Sequence, residues 1–102
     1  TFATVEELAT VQYEAKYENA RIIRQEIVNS IDSILDEMDG TDLVITYSGP
    51  QIKLEDITGT KYYHFDERNI EFNGYTVNVK LDRGYLVYSI GNLEIAKVNI
   101  KF

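Results

Sequence analysis

The sequence of 102 residues contains no cysteine and no tryptophan, and it has only one proline, one histidine and one methionine. The absence of cysteine excludes disulfides and thiolate metal sites. No stretch approaches the roughly 18 apolar residues of a membrane-spanning helix, and no basic-then-apolar leader opens the chain. Because the chain begins at Thr1 and not at methionine, we expect it to be processed or trimmed, with a segment missing upstream.

Residues that carry metal chemistry are equally few. His64 has no second histidine or cysteine at ligand spacing, so a solvated strand histidine is the favoured interpretation and a metal ligand the alternative. The acidic stretch 36–42 resembles a calcium loop. However, an EF-hand numbered on Gly40 would place Leu35 and Thr46 where carboxylates are needed. A solvated helix end is therefore favoured, with a looser calcium site as the alternative.

Catalytic motifs are missing as well. There is no G-x-S-x-G element and no glycine-rich phosphate loop, and no nucleophile stands out beside a base. Asp and Glu outnumber Lys and Arg by 17 to 10, and the resulting net charge of −7 argues against a phosphate-binding surface. We therefore predict a protein that is not an enzyme, has no catalytic residue, cofactor or metal, and has no nucleic-acid partner.

A long helix dominates what is present. The stretch from Thr4 to Met38 contains neither proline nor glycine. Thr4 and Glu7 fit a capping box at its start, and Asp39-Gly40 fits a stop signal at its end. The pattern predicts a helix within residues 1–39, about 35 residues and about 50 Å long. Such a helix is longer than the body of a domain of about 100 residues.

The two halves of this helix differ. The distal half has a broad apolar stripe at helical spacing, typical of a face packed on a core: Ala20, Ile23, Ile27, Ile31, Ile34 and Met38, widened by Ile22, Val28 and Leu35. The proximal stripe is thinner, so we expect this half to project or to contact another chain, the alternative being a helix that lies along the whole sheet. The predicted interface residues are Val5, Leu8, Val11, Tyr13, Ala15 and Tyr17.

Residues 42–102 alternate between apolar and polar positions, which predicts strands. Asn73-Gly74 fits a two-residue hairpin turn, and Asp82-Arg83-Gly84 fits a three-residue hairpin loop. A phase slip near Ala96-Lys97 suggests a β-bulge. The chain is therefore predicted to be one α+β domain, residues 1–102, with a long N-terminal helix packed on an antiparallel meander sheet of about six to seven strands.

This order of elements, with residues 20–32 running as Ala-Arg-Ile-Ile-Arg-Gln-Glu-Ile-Val-Asn-Ser-Ile-Asp, resembles archaeal type IV pilins with class III signal peptides. The succession from the helix into residues 43–47 and Pro50 also resembles these pilins. The closing strands of residues 84–102 resemble their C-terminal half. The resemblance implies a pilin-like fold and an apolar membrane or filament anchor upstream of Thr1. It also implies an extracellular or cell-envelope location, and it transfers no site residues.

Three functions follow as hypotheses. The first is a non-enzymatic structural subunit of a type IV pilus-like surface filament or related envelope assembly, whose partners are other copies of itself or related pilin-like subunits. The second is a soluble protein-binding module that dimerises through its N-terminal helix. The third is a small-ligand or calcium-binding protein.

Overall fold

The computed structural model describes residues 5–102, which begin with one continuous helix of 31 residues. It consists of α1 (Val5–Tyr13), a π-helical segment (Glu14–Asn19) and α2 (Ala20–Leu35). At 1.5 Å per residue the helix is about 46 Å long, close to the 53 Å longest dimension of the molecule. The predicted capping box involves Thr4, which lies outside the described residues.

The helix ends at Leu35, earlier than the predicted end near Met38. The next turn tightens, because the amide of Glu37 bonds to Ile34 O at 3.1 Å and that of Met38 bonds to Leu35 O at 3.0 Å. Such i→i+3 bonds satisfy carbonyls at a helix end. Gly40 has the left-handed φ of +80°, but it lies four residues beyond the C-cap Asp36, so its predicted role as the glycine that ends the helix is wrong.

Seven strands follow within the described residues, and all neighbouring pairs are antiparallel. The predicted α+β class and strand number are confirmed, but the prediction of one meander sheet is wrong. There are two sheets, ordered β1-β2-β3 and β4-β5-β6-β7. The strands are β1 (Val44–Ser48), β2 (Gln51–Asp56), β3 (Gly59–His64), β4 (Arg68–Phe72), β5 (Tyr75–Asp82), β6 (Tyr85–Ile90) and β7 (Leu93–Asn99).

Phe65 separates the two sheets. Its amide continues the first ladder by bonding to Pro50 O at 2.9 Å, while its side chain is 1% exposed and belongs to the core. The chain therefore turns inward after β3, and β4 pairs with β5 instead. A bond of 3.0 Å from the amide of Arg83 to Gly49 O joins hairpin tips of the two sheets.

One hydrophobic core runs under the helix. The helix contributes six buried residues to it: Val11, Ala15, Ala20, Ile23, Ile27 and Ile31. The first half of the helix packs on β7, and α2 contacts β3. The expectation that the proximal half projects is therefore wrong, and the alternative of a helix lying along the strands describes the structure.

The turns agree with the sequence in part. Asn73 and Gly74 have φ of 49° and 84°, as a type I′ hairpin requires. The predicted three-residue loop at 82–84 is wrong, because Asp82 pairs directly with Tyr85 and leaves a two-residue loop. The predicted bulge is present, one position earlier: Tyr88 pairs with Ala96 and Ser89 with Glu94, which leaves Ile95 without a partner on β6.

Candidate interaction surface on the helix

Two of the six predicted interface residues lie inside the protein's own core. Val11 and Ala15 are both 0% exposed, so they pack within the chain and do not offer a surface to another molecule. Leu8 is half-buried and packs against the same core. The prediction of an interface is thereby corrected at Val11 and Ala15, and Leu8 contributes only its exposed part.

The π-helical segment is the physical reason for this correction. The buried positions Ala15 and Ala20 are five residues apart, whereas other buried helix positions are three or four apart. In a regular α-helix five residues overshoot a full turn by about 140°, which would put the two alanines on different faces. The wider i→i+5 turn brings them back into line. The thin proximal stripe and the broad distal stripe are therefore one continuous buried face.

The same adjustment aligns exposed residues on the opposite side. Tyr13, Tyr17 and Ile22 each stand two positions after a buried residue, so they form a line facing away from the sheets. They are 57%, 63% and 62% exposed, and Val5, which stands about 80° around the helix from this line, is 83% exposed. We call Val5, Tyr13, Tyr17 and Ile22 the outer ridge. Ile22 was predicted to widen the core stripe, and that assignment is wrong.

The centre of the outer ridge is an aromatic pair. The ring centroids of Tyr13 and Tyr17 lie 5.0 Å apart, with the ring planes inclined at 45°. Tilted pairs at this distance are favourable for aromatic rings, so each ring limits the freedom of the other. A pair that is ordered before contact loses less side-chain entropy when a partner covers it.

Two hydrogen bonds hold the end of α1 and the π-helical segment against the four-stranded sheet. Tyr88 is fully buried, and its hydroxyl donates to Asn19 Oδ1 at 2.7 Å. Burial raises the pKa of Tyr88 well above the usual range for tyrosine, so the hydroxyl stays a donor. Gln12 Nε2 donates at 2.7 Å to the carbonyl of Ile95, the bulge residue. The helix irregularity and the strand irregularity thus lie against each other.

Two partly exposed ion pairs link α2 and the turn after it to the strands. Arg68 on β4 makes a two-pronged pair with Glu26, with N–O distances of 3.0 and 3.1 Å. This hydrogen-bonded carboxylate raises the pKa of Arg68. Lys61 on β3 contacts Glu37 at 2.6 Å, and its hydrogen bond and charge lower the pKa of that carboxyl. The distal half and the turn after it are therefore linked to both sheets, and the outer ridge lies mostly on the proximal half.

The other candidate sites are less developed. A groove of about 430 Å³ lies where the sheets meet, and its lining includes His64, Glu67 and Lys80. His64 Nε2 is 3.7 Å from Asp66 Oδ1, and both side chains are more than half exposed. In the part of the chain that the structure describes, no three His, Asp or Glu residues are grouped to hold a metal. The acidic stretch 36–42 contacts the sheet through the amide of Gly40, which donates to Asp56 Oδ2 at 2.8 Å.

Comparisons with known proteins identify no relative of this chain. A scan against protein-family models gives no match, and searches of the curated proteins and of the solved structures give none either. Over residues 5–102, no helix combines the length and the apolar character needed to cross a membrane.

Proposed function

We propose that the protein is a non-catalytic structural subunit of a pilin-like surface filament or related envelope assembly, and that its outer ridge contacts other copies of itself or related subunits. The observation that carries the proposal is the outer ridge itself: four large apolar or aromatic side chains stand in the open on the helix. Tyrosine is enriched at protein interfaces because it combines rigid apolar area with a polar group.

The shape of the molecule supports a role in packing. The molecule measures 53 × 21 × 17 Å, and the helix runs along most of its length with one face in the core and the other open. An elongated body with a continuous helical face can contact neighbours along a line. Specific interfaces need about 800 Å² per partner, and one fully buried Tyr supplies about 150–250 Å². The outer ridge and its flanks can approach that requirement.

A soluble module that dimerises through the helix is the second candidate. The observation that favours it is that the outer ridge is a strip on one helix, a form that can pair with its own copy about a two-fold axis. A two-fold pair closes at two chains. A filament subunit adds further copies as the concentration rises.

Sedimentation velocity over a range of concentrations tests the role of the outer ridge. We expect the unchanged protein to form species larger than a dimer, and the Tyr13→Ser/Tyr17→Ser variant to remain monomeric at the same concentrations. Tyr62→Ser is the matched control, because Tyr62 is 59% exposed but lies on β3. Association that stops at a dimer supports the soluble module. A monomer at every concentration contradicts both candidates.

The filament assignment has its own test in the organism that makes the protein. Antibodies raised against the purified chain are applied to filaments sheared from the cell surface and to the cytoplasmic fraction. We expect the chain in the sheared fraction. Its confinement to the cytoplasm would contradict the proposed function.

A further inference from the structure

The outer side of the four-stranded sheet carries a cluster of lysines in an acidic protein. Lys80, Val87 and Lys97 are direct neighbours across β5, β6 and β7, and they lie on the side of the sheet away from the helix. Val87 is nevertheless only 6% exposed. Its two register partners are lysines, a side chain that buries its aliphatic stem and keeps its ammonium group in water.

A third lysine joins this cluster through an aromatic ring. The ammonium groups of Lys97 and Lys101 lie 4.8 Å and 5.3 Å from the ring centroid of Tyr85. Cation–π contacts of this length hold both charges on one side of the sheet. We call Lys80, Lys97 and Lys101, with Tyr85 and Val87, the lysine patch.

Among the described residues, the lysines of the lysine patch are not held in close ion pairs, although Lys80 lines the same groove as Glu67 and Asp82. Within residues 5–102, none of its three lysines makes an ion pair. The nearby Asp82 forms its pair with Arg83, at 3.3 Å. Three positive charges therefore remain available to a negatively charged partner.

The helix carries the complementary charge beside the outer ridge. Residues 5–19 contain four carboxylates (Glu6, Glu7, Glu14 and Glu18) against one lysine (Lys16), a net formal charge of −3. Glu14 and Glu18 directly follow Tyr13 and Tyr17, and among the described residues neither forms an ion pair. They stand four residues apart and are therefore neighbours on one side of the helix.

From this complementarity we infer that the lysine patch receives the outer ridge of a second copy of the chain, so that copies join head to tail through two different surfaces. The inference rests on the proposed function and specifies how its subunits meet. The helix and the lysine patch lie on opposite sides of the four-stranded sheet, so each copy offers a free ridge on one side and a free patch on the other. Heterologous contacts of this kind continue into open assemblies when they do not close a ring.

Reversing the charges of each surface in turn tests the contribution of the lysine patch and of the outer ridge separately. The patch variant is Lys80→Glu/Lys97→Glu/Lys101→Glu, and the ridge variant is Glu14→Lys/Glu18→Lys. We expect each variant alone to associate at least about tenfold more weakly than the unchanged protein, since like charges then face each other. Mixing the two variants should restore association, because each then meets its complement. A chain with all five changes should also associate with itself.

Thermal unfolding of each variant checks that it is folded, and sedimentation velocity measures the association. If the unchanged protein assembles and the patch variant assembles equally well, the inference is overturned while the proposed function stands. The inference is also overturned if neither the mixture nor the variant with all five changes recovers association. If the unchanged protein stays monomeric but binds anionic phospholipid vesicles through the lysine patch, the inference and the proposed use of the ridge both fail.

Discussion

The hydroxyl of Tyr88 donates a hydrogen bond of 2.7 Å to Asn19 Oδ1, and this bond connects β6 to the end of the π-helical segment. We predict that Tyr88→Phe lowers the free energy of unfolding by about 0.5–1.5 kcal/mol, the usual range for one hydrogen bond. Urea denaturation measures the loss. Tyr62→Phe is the control, since Tyr62 is 59% exposed, and an equal loss in both variants would contradict a structural role for the bond.

The π-helical segment yields a prediction about deletions. Removing Glu18 shortens the spacing from Ala15 to Ala20 to four residues, which a regular α-helix accommodates with both alanines on one face. We expect this deletion variant to fold cooperatively, with a stability change of about 1–2 kcal/mol. Circular dichroism during thermal unfolding measures it.

The matched control deletes Gln25, which stands between the buried residues Ile23 and Ile27 in regular α-helix. This deletion turns one part of the buried stripe about 100° away from the other, so we expect cooperative unfolding to be lost. If both deletions are equally harmful, the π-helical segment does not act as the register adjustment described.

Two isoleucines on one helix distinguish the buried face from the open face. Ile27 is 0% exposed and Ile22 is 62% exposed. Ile27→Ala should cost about 2–5 kcal/mol because it opens a cavity in the core. Ile22→Ala should stay within about 0.5 kcal/mol of the unchanged protein. Chemical denaturation gives both values, and equal costs would contradict the burial assigned to this helix.

These isoleucines also show what the sequence could and could not reveal. Periodicity identified Ile23, Ile27 and Ile31 as core residues, because apolar spacings of three and four specify a helical face directly. Ile22 was taken to widen the same face because it is apolar and adjacent to Ile23, although consecutive residues of an α-helix point about 100° apart. The sign of the π-helical segment was the five-residue gap between Ala15 and Ala20, but such segments are rare and the gap resembled a break between two halves.

The strands were predictable to a similar degree. Asn73-Gly74 was predicted correctly because a type I′ turn needs positive φ at both positions, which is a local property. The division into two sheets depends on Phe65, whose side chain enters the core where the chain leaves the first ladder. An aromatic residue at the end of a strand pattern does not show by itself whether the next strand pairs beside it.

Asp56 gives a prediction about pH. Its carboxylate accepts bonds from the Thr58 hydroxyl and from the amides of Gly40, Thr58 and Gly59, which lower its pKa from 3.8 to about 2. A carboxyl with a lowered folded-state pKa stabilises the fold fully above its unfolded pKa. That contribution is lost as the pH falls from about 3.8 to about 2.

The Thr58→Val variant tests this assignment, because it removes the hydroxyl that lowers the pKa most and keeps the side-chain shape. NMR titration of the Asp56 carboxyl carbon should show its pKa rising toward 3.8. The stability of the variant should also fall less steeply between pH 4 and pH 2 than that of the unchanged protein. An unchanged pKa would contradict the hydrogen-bonded network assigned to this turn.

The central claim is that the outer ridge is covered by another chain, and cysteine labelling tests it most directly because the sequence has no native cysteine. Ile22→Cys and Ile57→Cys place one thiol each at positions that are 62% and 64% exposed, on the outer ridge and in the β2–β3 turn respectively. Labelling rates with a maleimide are compared between dilute and concentrated protein. The account predicts that concentration slows labelling severalfold at position 22 and leaves position 57 unchanged, whereas equal rates at position 22 under both conditions would contradict it.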